Sequence, residues 1–147
     1  MERLIPIGIN MLLKFKIKDI VDKYNNQPRS CGDIDCNMMI LELYEPEAFL
    51  ALHKKYKTLI GGARKAKALF GYPSILEFVK NNENYISISP SFAKLGDIGT
   101  IVDKHCTFLH LGRSYLSITL DENKNEVFRI VPKLAIELTN CKFFRRI

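Results

Sequence analysis

The stretch CGDIDCNMMILELY, residues 31–44, places a cysteine directly after a Gly-Asp-Ile-Asp turn and at the start of an apolar segment. Asp35 or Cys36 is predicted to begin a helix, and because the following residues are apolar on most sides, that helix is expected to be deeply buried. Unpaired amides and the macrodipole at a helix N-terminus favour negative charge, which lowers the pKa of a thiol there. Cys36 is therefore a candidate nucleophile, although a buried helical cysteine is also an ordinary core residue.

Further helical patterns lie on both sides of this segment. The predicted helices cover residues 15–26, 45–56, 61–70 and a segment that follows Ser74. Pro46 must kink or end the helix that begins at Cys36, and it is tolerated in the first turn of the next one. Gly71 is expected to close the alanine-rich helix as a C-terminal cap. The glycines and alanines of that helix are expected to allow close helix packing.

After Asn84 the chain alternates between apolar and polar residues and is rich in β-branched side chains. Predicted strands cover residues 85–89, 97–103, 106–112, 113–120, 126–131 and 141–147, with a hairpin turn at residues 121–125. Helices followed by an antiparallel sheet predict an α+β fold, in which N-terminal helices pack on a C-terminal antiparallel sheet. The length favours a single domain, residues 14–147, and residues 1–13 are expected to form an N-terminal arm or an edge strand.

The composition of the chain limits the kinds of binding partner and environment that it is expected to have. Lys and Arg number 22 against 16 Asp and Glu, for a formal charge of +6. The basic residues are scattered and lack interleaved aromatic residues, so no dedicated nucleic-acid site is expected. No window approaches the roughly 18 consecutive apolar residues of a membrane span. The four cysteines are few and unevenly spaced, which favours reduced thiols over a disulfide scaffold.

A nucleophilic cysteine needs a base, which is normally a histidine. The candidates are His53, His105 and His110. His105 begins a predicted strand directly after a loop, a position from which an imidazole can reach a helix start. On the same strand, alternation would put Cys106 and His110 on one face and Thr107 on the other, so His110 is the competing base if that face lines a cleft.

Zinc is a second possible use of these side chains. Cys31 and Cys36, together with His105 and Cys106, offer enough sulfur and nitrogen ligands for a tetrahedral site. Structural zinc sites usually contain cysteine pairs at CxxC spacing, which this chain lacks. We therefore expect no metal ion and no other cofactor.

The order of these features resembles the NlpC-type papain-like cysteine peptidases. The shared features are an Asp-Cys pair at the head of a buried helix, then a Gly-Asp step that opens a strand, then a strand with histidine at its start. The chain resembles more closely a phage and prophage family of unassigned function with that fold. That resemblance adds the segments GGARKAKALFGYPSILEFV, AKLGDI and CKFFRRI, and it extends over residues 15–147.

The resemblance implies a role for several individual residues. Cys36 falls on the nucleophile, and Asp97 falls on the aspartate of the Gly-Asp strand, where a structural role is expected. His105 lies close to the position of the base, but an alignment shifted by one residue would put Cys106 there. The third, orienting residue is not identified, and Ser114 is offered only as a polar side chain on the following strand.

Two functions follow from the resemblance. The first is a phage virion-associated protein of the tail or connector, which has a cysteine-hydrolase-like fold but lacks a complete catalytic constellation. The second is an active cysteine amidase or endopeptidase that uses Cys36 and His105 to cut peptidoglycan peptides during phage entry. The implied partners are other virion proteins and peptidoglycan. The implied location is the virion, with the host cytoplasm during assembly.

Overall fold

The computed structural model describes the backbone of residues 4–102 and 106–147 and the side chains of residues 11–102 and 106–147. The helices are α1 (Leu4–Tyr24), α2 (Cys36–Tyr44), α3 (Pro46–Leu52), α4 (Leu59–Phe70) and α5 (Ile75–Asn81). The strands are β1 (Tyr85–Ile88), β2 (Ile98–Ile101), β3 (Cys106–His110), β4 (Ser114–Leu120), β5 (Glu126–Pro132) and β6 (Cys141–Arg146). The predicted α+β class, with helices first and an antiparallel sheet after them, is confirmed.

Helix α1 is longer than the sequence pattern predicted. It begins at Leu4, so residues 4–13 are helical and the alternative of an edge strand there is wrong. Pro6 lies in the first turn, where a missing amide proton breaks no helical hydrogen bond. At the other end of α1, Ile17, Ile20 and Tyr24 are buried against the rest of the protein.

Short polar side chains cap the N-termini of three helices. Asp35 caps α2, Thr58 caps α4 and Ser74 caps α5, each by accepting a hydrogen bond from a backbone amide three residues later. The Thr58 cap makes α4 begin at Leu59, two residues before the Gly61-Gly62 pair at which it was predicted to open. Gly71 ends α4 in the left-handed conformation, as predicted.

The six strands form one sheet in the order β1-β6-β2-β3-β4-β5, and every neighbouring pair is antiparallel. Strand β6 lies between β1 and β2, although it follows both of them in the chain. The tight connection between β4 and β5 is the predicted hairpin, in which the Asp121 carboxylate accepts hydrogen bonds from the amides of Asn123 and Asn125.

The two faces of the sheet are covered differently. One face packs on the helices, and Leu109, Leu116 and Phe144 contribute to that larger core. The opposite face carries a smaller, aromatic cluster that is covered in part by the segment between β5 and β6. Its buried members are Phe108, Tyr115, Cys141 and Phe143. Within the residues described, no helix combines the length and the apolar character needed to cross a membrane.

Candidate functional site

The first turn of α2 is held by Asp35, whose side chain is almost completely buried. One carboxylate oxygen accepts a hydrogen bond from the amide of Met38 at 2.8 Å, which is the expected N-cap geometry. The other oxygen accepts bonds from the amide of Gly32 and from the hydroxyl of Tyr56, each at 2.6 Å. The predicted helix start is confirmed, and its capping carboxylate has three donors.

Tyr56 connects the start of α2 to α4. Its ring lies against Gly62, where a Cβ atom would approach the ring to 2.8 Å. Its carbonyl oxygen lies against Gly32, which has a positive φ of 87° and no room for a side chain. Gly62 therefore lets α4 pack closely on the ring of Tyr56, a residue of the loop before α4. Sequence reasoning did not identify Tyr56, because no local pattern relates it to Asp35.

Cys36 lies at the first position of α2 with 6% of its surface exposed. Its carbonyl oxygen accepts a hydrogen bond from the Thr107 hydroxyl at 2.9 Å, which joins α2 to β3. Its thiol interacts electrostatically with the thiol of Cys106, the first residue of β3, and the Cys106 thiol donates to the carbonyl of Thr107 at 3.7 Å. Two cysteines from separate elements therefore lie near each other at the start of α2.

The Cys36 and Cys106 thiols differ in acidity because each changes the environment of the other. The hydrogen bond from Cys106 lowers the pKa of Cys36, and the amide and hydroxyl of Thr107 act in the same direction against the effect of burial. The same thiol–thiol bond, with burial and the negative charge of a Cys36 thiolate, raises the pKa of Cys106 well above its ordinary value. Cys36 is thus the thiol that loses its proton first.

His110 lies on the other side of the sheet from α2. Its ring packs edge-on against Tyr115 and Phe143, which belong to the aromatic cluster, whereas its neighbour Leu109 belongs to the core shared with the helices. Its Nδ1 accepts a hydrogen bond from the amide of Gly112 at 2.9 Å. Burial is the main cause that lowers its pKa. The structure therefore does not bring His110 together with Cys36.

Neither of the two remaining histidines is seen in contact with Cys36 in the part of the chain that the structure describes. His105 lies outside the described residues, between the described ranges 4–102 and 106–147. His53 follows α3, and its ring stacks on Phe49. Its Nε2 atom lies 2.6 Å from a carboxylate oxygen of Asp33. The structure gives no hydrogen bond between His53 and Cys36 among the contacts of the described residues.

The space beside the thiol pair is small. A cavity of about 10 Å³ borders Cys106 and Thr107, and its other walls include Asn37, Ser74 and Thr100. A cavity of about 10–15 Å³ holds one water molecule. The cavity beside Cys106 and Thr107 therefore has room for about one water molecule.

Asp97 has the structural role that was expected for the Gly-Asp step. It is 1% exposed, and its carboxylate oxygens accept hydrogen bonds from Nε and a terminal nitrogen of Arg145, both at 2.9 Å. The amide of Lys94 donates to the same carboxylate at 2.9 Å. Asp97 thereby fixes β6 to the turn that precedes β2.

Ser114, the polar side chain suggested as an orienting group, begins β4 and is partly buried. Within the two described ranges, no group of three or more His, Cys, Asp or Glu side chains could hold a metal ion. Sequence reasoning also passed over Thr107 as a site residue, although alternation outward from the buried Leu109 could have placed it toward α2. No protein-family model, no curated protein and no solved structure matches this chain.

Proposed function

We propose that this chain is a phage virion-associated protein, a tail or connector subunit, and that it is a structural component on a papain-like, NlpC-type scaffold instead of a hydrolase. The observation that carries the proposal is that, among the residues the structure describes, the partner of the Cys36 sulfur is a thiol, that of Cys106. A thiol cannot replace an imidazole as the base that shuttles a proton to a leaving amine at neutral pH.

The scaffold is supported by the order of the elements around the thiol. The Asp-Cys helix α2 precedes the glycine-alanine helix α4, and the Gly-Asp turn then leads into β2 and β3. The resemblance expects a histidine at the start of the strand after the Gly-Asp strand. Cys106 is the first residue of β3, so the alignment that puts Cys106 at the histidine position agrees with the thiol–thiol contact.

The burial of Cys36 also favours a structural role. A substrate must place its carbonyl carbon within about 3–3.5 Å of the nucleophilic sulfur. Cys36 is buried, and the adjoining cavity of about 10 Å³ has room for a single water molecule. A virion setting rests on the resemblance over residues 15–147, with other virion proteins as partners. The exposed Met11, Leu12 and Phe15 of α1 supply apolar surface for such contacts.

The proposal is tested in two assays on the full chain. In the first, the reduced protein is incubated with purified peptidoglycan sacculi, and released stem peptides are measured for the wild type, Cys36→Ser, His105→Ala and Cys141→Ser. No release above the Cys36→Ser background is expected. In the second, an antibody against the chain is used to detect it in purified phage particles, where a fixed amount per particle is expected.

Two results would overturn the proposal. Peptide release that is lost in both Cys36→Ser and His105→Ala, but kept in Cys141→Ser, would establish the alternative of an active amidase or endopeptidase. Absence of the chain from purified particles would exclude a virion component.

A further inference from the structure

One segment of the chain accounts for its entire net charge. Of the 22 basic and 16 acidic residues, six basic and no acidic ones lie within residues 48–76, which leaves 16 of each sign in the remainder. The six are Lys54, Lys55 and Lys57 in the loop before α4 and Arg64, Lys65 and Lys67 on α4. The field that attracts an anionic partner therefore originates from this segment.

These six cations face solvent without a counter-charge from the protein. All six residues are exposed. Within the described side chains, 11–102 and 106–147, none of them forms an ion pair with a carboxylate, whereas Lys23 and Arg145 are paired with Glu42 and Asp97. An external anion can therefore bind to the six cations without displacing a carboxylate of the described chain.

Helix α4 also leaves its large apolar side chains in solvent. It packs on the rest of the protein through a narrow side, where Gly62 is buried and Ala66 contacts the core. The large apolar residues that remain exposed on this helix are Leu59, Ile60, Leu69 and Phe70. A helix that served only the core would cover such residues, so their exposure indicates an external partner for α4.

The outer face of α4 combines an apolar side chain with two cations. Ile60, Arg64 and Lys67 follow one another at the i, i+4, i+7 spacing, which places them on one face of the helix. Gly62 and Ala66 lie roughly 150° away from that face around the helix axis. Ile60, which is 68% exposed, thus projects from the protein beside two cations.

We propose that the docking segment, defined as the loop 53–58 together with α4, binds to the surface of a membrane that contains anionic lipids. Its Lys and Arg side chains pair with lipid phosphates, while Leu59, Ile60 and Phe70 enter the boundary between the headgroups and the acyl chains. This surface goes beyond the proposed structural role in the virion.

A nucleic acid is the competing anionic partner. Its phosphates would neutralise the cations but would leave the aliphatic side chains of α4 in water. Single strands are held by aromatic side chains that stack on the bases, and Phe70 is the only aromatic residue of α4. A bilayer surface offers phosphates and an apolar layer together, so it suits both kinds of exposed side chain.

The experiment measures co-sedimentation of the full chain with two vesicle preparations at about 0.1 M salt, where the Debye length is about 10 Å. One preparation is pure phosphatidylcholine, and the other also contains phosphatidylglycerol, which is anionic. We expect binding to the anionic vesicles to be at least about a hundredfold tighter, because each basic residue near such a surface contributes about fivefold. This comparison uses the wild type and depends on no variant.

The combined variant Arg64→Gln, Lys65→Gln and Lys67→Gln tests whether α4 supplies the attraction. It should weaken binding to the anionic vesicles by about a hundredfold, since it removes three contributions of about fivefold each. The fold should be kept, because the three residues are exposed and glutamine is a good helix former.

The matched control is the combined variant Lys124→Gln, Arg129→Gln and Lys133→Gln. It makes the same change in net charge at exposed residues of β5 and the turns beside it, outside the docking segment. Binding should change by less than about threefold, because the attraction falls off within a Debye length.

A tryptophan reports whether the apolar residues of α4 leave water. The chain contains no tryptophan, so Ile60→Trp supplies a single fluorophore on the outer face of α4. Anionic vesicles should shift its emission to shorter wavelengths. Phe92→Trp, at a residue that is 76% exposed in the turn before β2, should show no shift. Duplex DNA should shift neither emission.

Equal binding to the two vesicle preparations, or binding to neither, would overturn the proposal. Equal losses in the two triple variants would do the same, as would an unshifted Ile60→Trp emission on the anionic vesicles. Retention by immobilised duplex DNA without binding to vesicles would assign the docking segment to nucleic acid instead. These assays contain no phage particles and no sacculi, so the failure of this proposal and the failure of the virion proposal are distinguishable.

Discussion

The hydroxyl of Tyr56 donates a 2.6 Å hydrogen bond to the buried carboxylate of Asp35, the residue that caps α2. Tyr56→Phe removes that donor and leaves the carboxylate with two backbone donors. Because hydrogen bonds to charged groups contribute about 1.5–3 kcal/mol, we expect the free energy of unfolding to fall by about 2 kcal/mol. Urea denaturation measures it. The control is Tyr72→Phe, which removes a hydroxyl away from this cap and should change the free energy of unfolding by less than about 0.5 kcal/mol. Equal effects of the two variants would contradict the role given to Tyr56.

The Asp97–Arg145 pair fixes β6 to the turn before β2, and its carboxylate is almost fully buried. Asp97→Asn breaks the ion pair and leaves the guanidinium without its counter-charge, so we expect a loss of about 3 kcal/mol in the free energy of unfolding. The matched control is Asp22→Asn, which breaks the exposed pair with Lys18. That change should cost far less stability than the change at Asp97, because water screens both exposed charges. A loss at Asp97 as small as the loss at Asp22 would show that the buried pair is not stabilising.

Gly99 lies in β2 opposite Phe108, whose ring occupies the space that a side chain would need. A Cβ atom at Gly99 would lie 2.2 Å from Cζ of that ring. Gly99→Ala should therefore destabilise the protein by about 1–3 kcal/mol through overpacking. The measurement is again urea denaturation, and it is extended to the double variant Gly99→Ala with Phe108→Leu. The smaller side chain should recover part of the loss, and strict additivity of the two changes would contradict a direct clash.

His110 should make the stability depend on pH. Burial lowers its pKa, with Lys133 acting in the same direction and Asp97 opposing it. Its folded pKa is thus below the unfolded value, so the unfolded state binds more protons as the pH falls below about 6.5. The free energy of unfolding should fall from about pH 7.5 to pH 5.5, measured from urea midpoints.

The variant for this prediction is His110→Asn, because an amide oxygen can keep the bond from the Gly112 amide without titrating near neutral pH. The fall in stability between the two pH values should be smaller in this variant than in the wild type. In His53→Asn, which removes an imidazole paired with Asp33, the fall should persist. A fall of the same size in His110→Asn and the wild type would mean that other groups cause it.

The elements that local chemistry determines could be predicted from the sequence. Asp35 before an apolar segment indicates the capped start of α2, and Gly71 indicates the left-handed end of α4. Both occur where they were expected. The alternating segments after Asn84 each form a strand. The length of α1 was missed because Pro6 and Gly8 disfavour a helix interior, whereas a first turn accepts proline.

The contacts that bring the residues of the site together from distant segments could not be predicted in the same way. Tyr56 reaches Asp35, and Thr107 reaches Cys36, through contacts between segments that no periodicity relates. Alternation correctly separates His110 from Leu109, but the sequence does not say which face of the sheet packs on α2. Which face packs on α2 depends on the pairing of strands that are distant in the chain. In this structure the pairing leaves the His110 imidazole facing away from the Cys36 thiol.

The position of β6 between β1 and β2 has a consequence for synthesis on the ribosome. A nascent chain emerges from its N-terminus, so α1 to α5 and the hairpin of β4 and β5 leave the exit tunnel before residues 141–146 do. Until then β1 and β2 have no shared neighbour, and each presents a row of unsatisfied amides and carbonyls. A translational pause before Cys141 prolongs that state and gives other chains time to add a strand there.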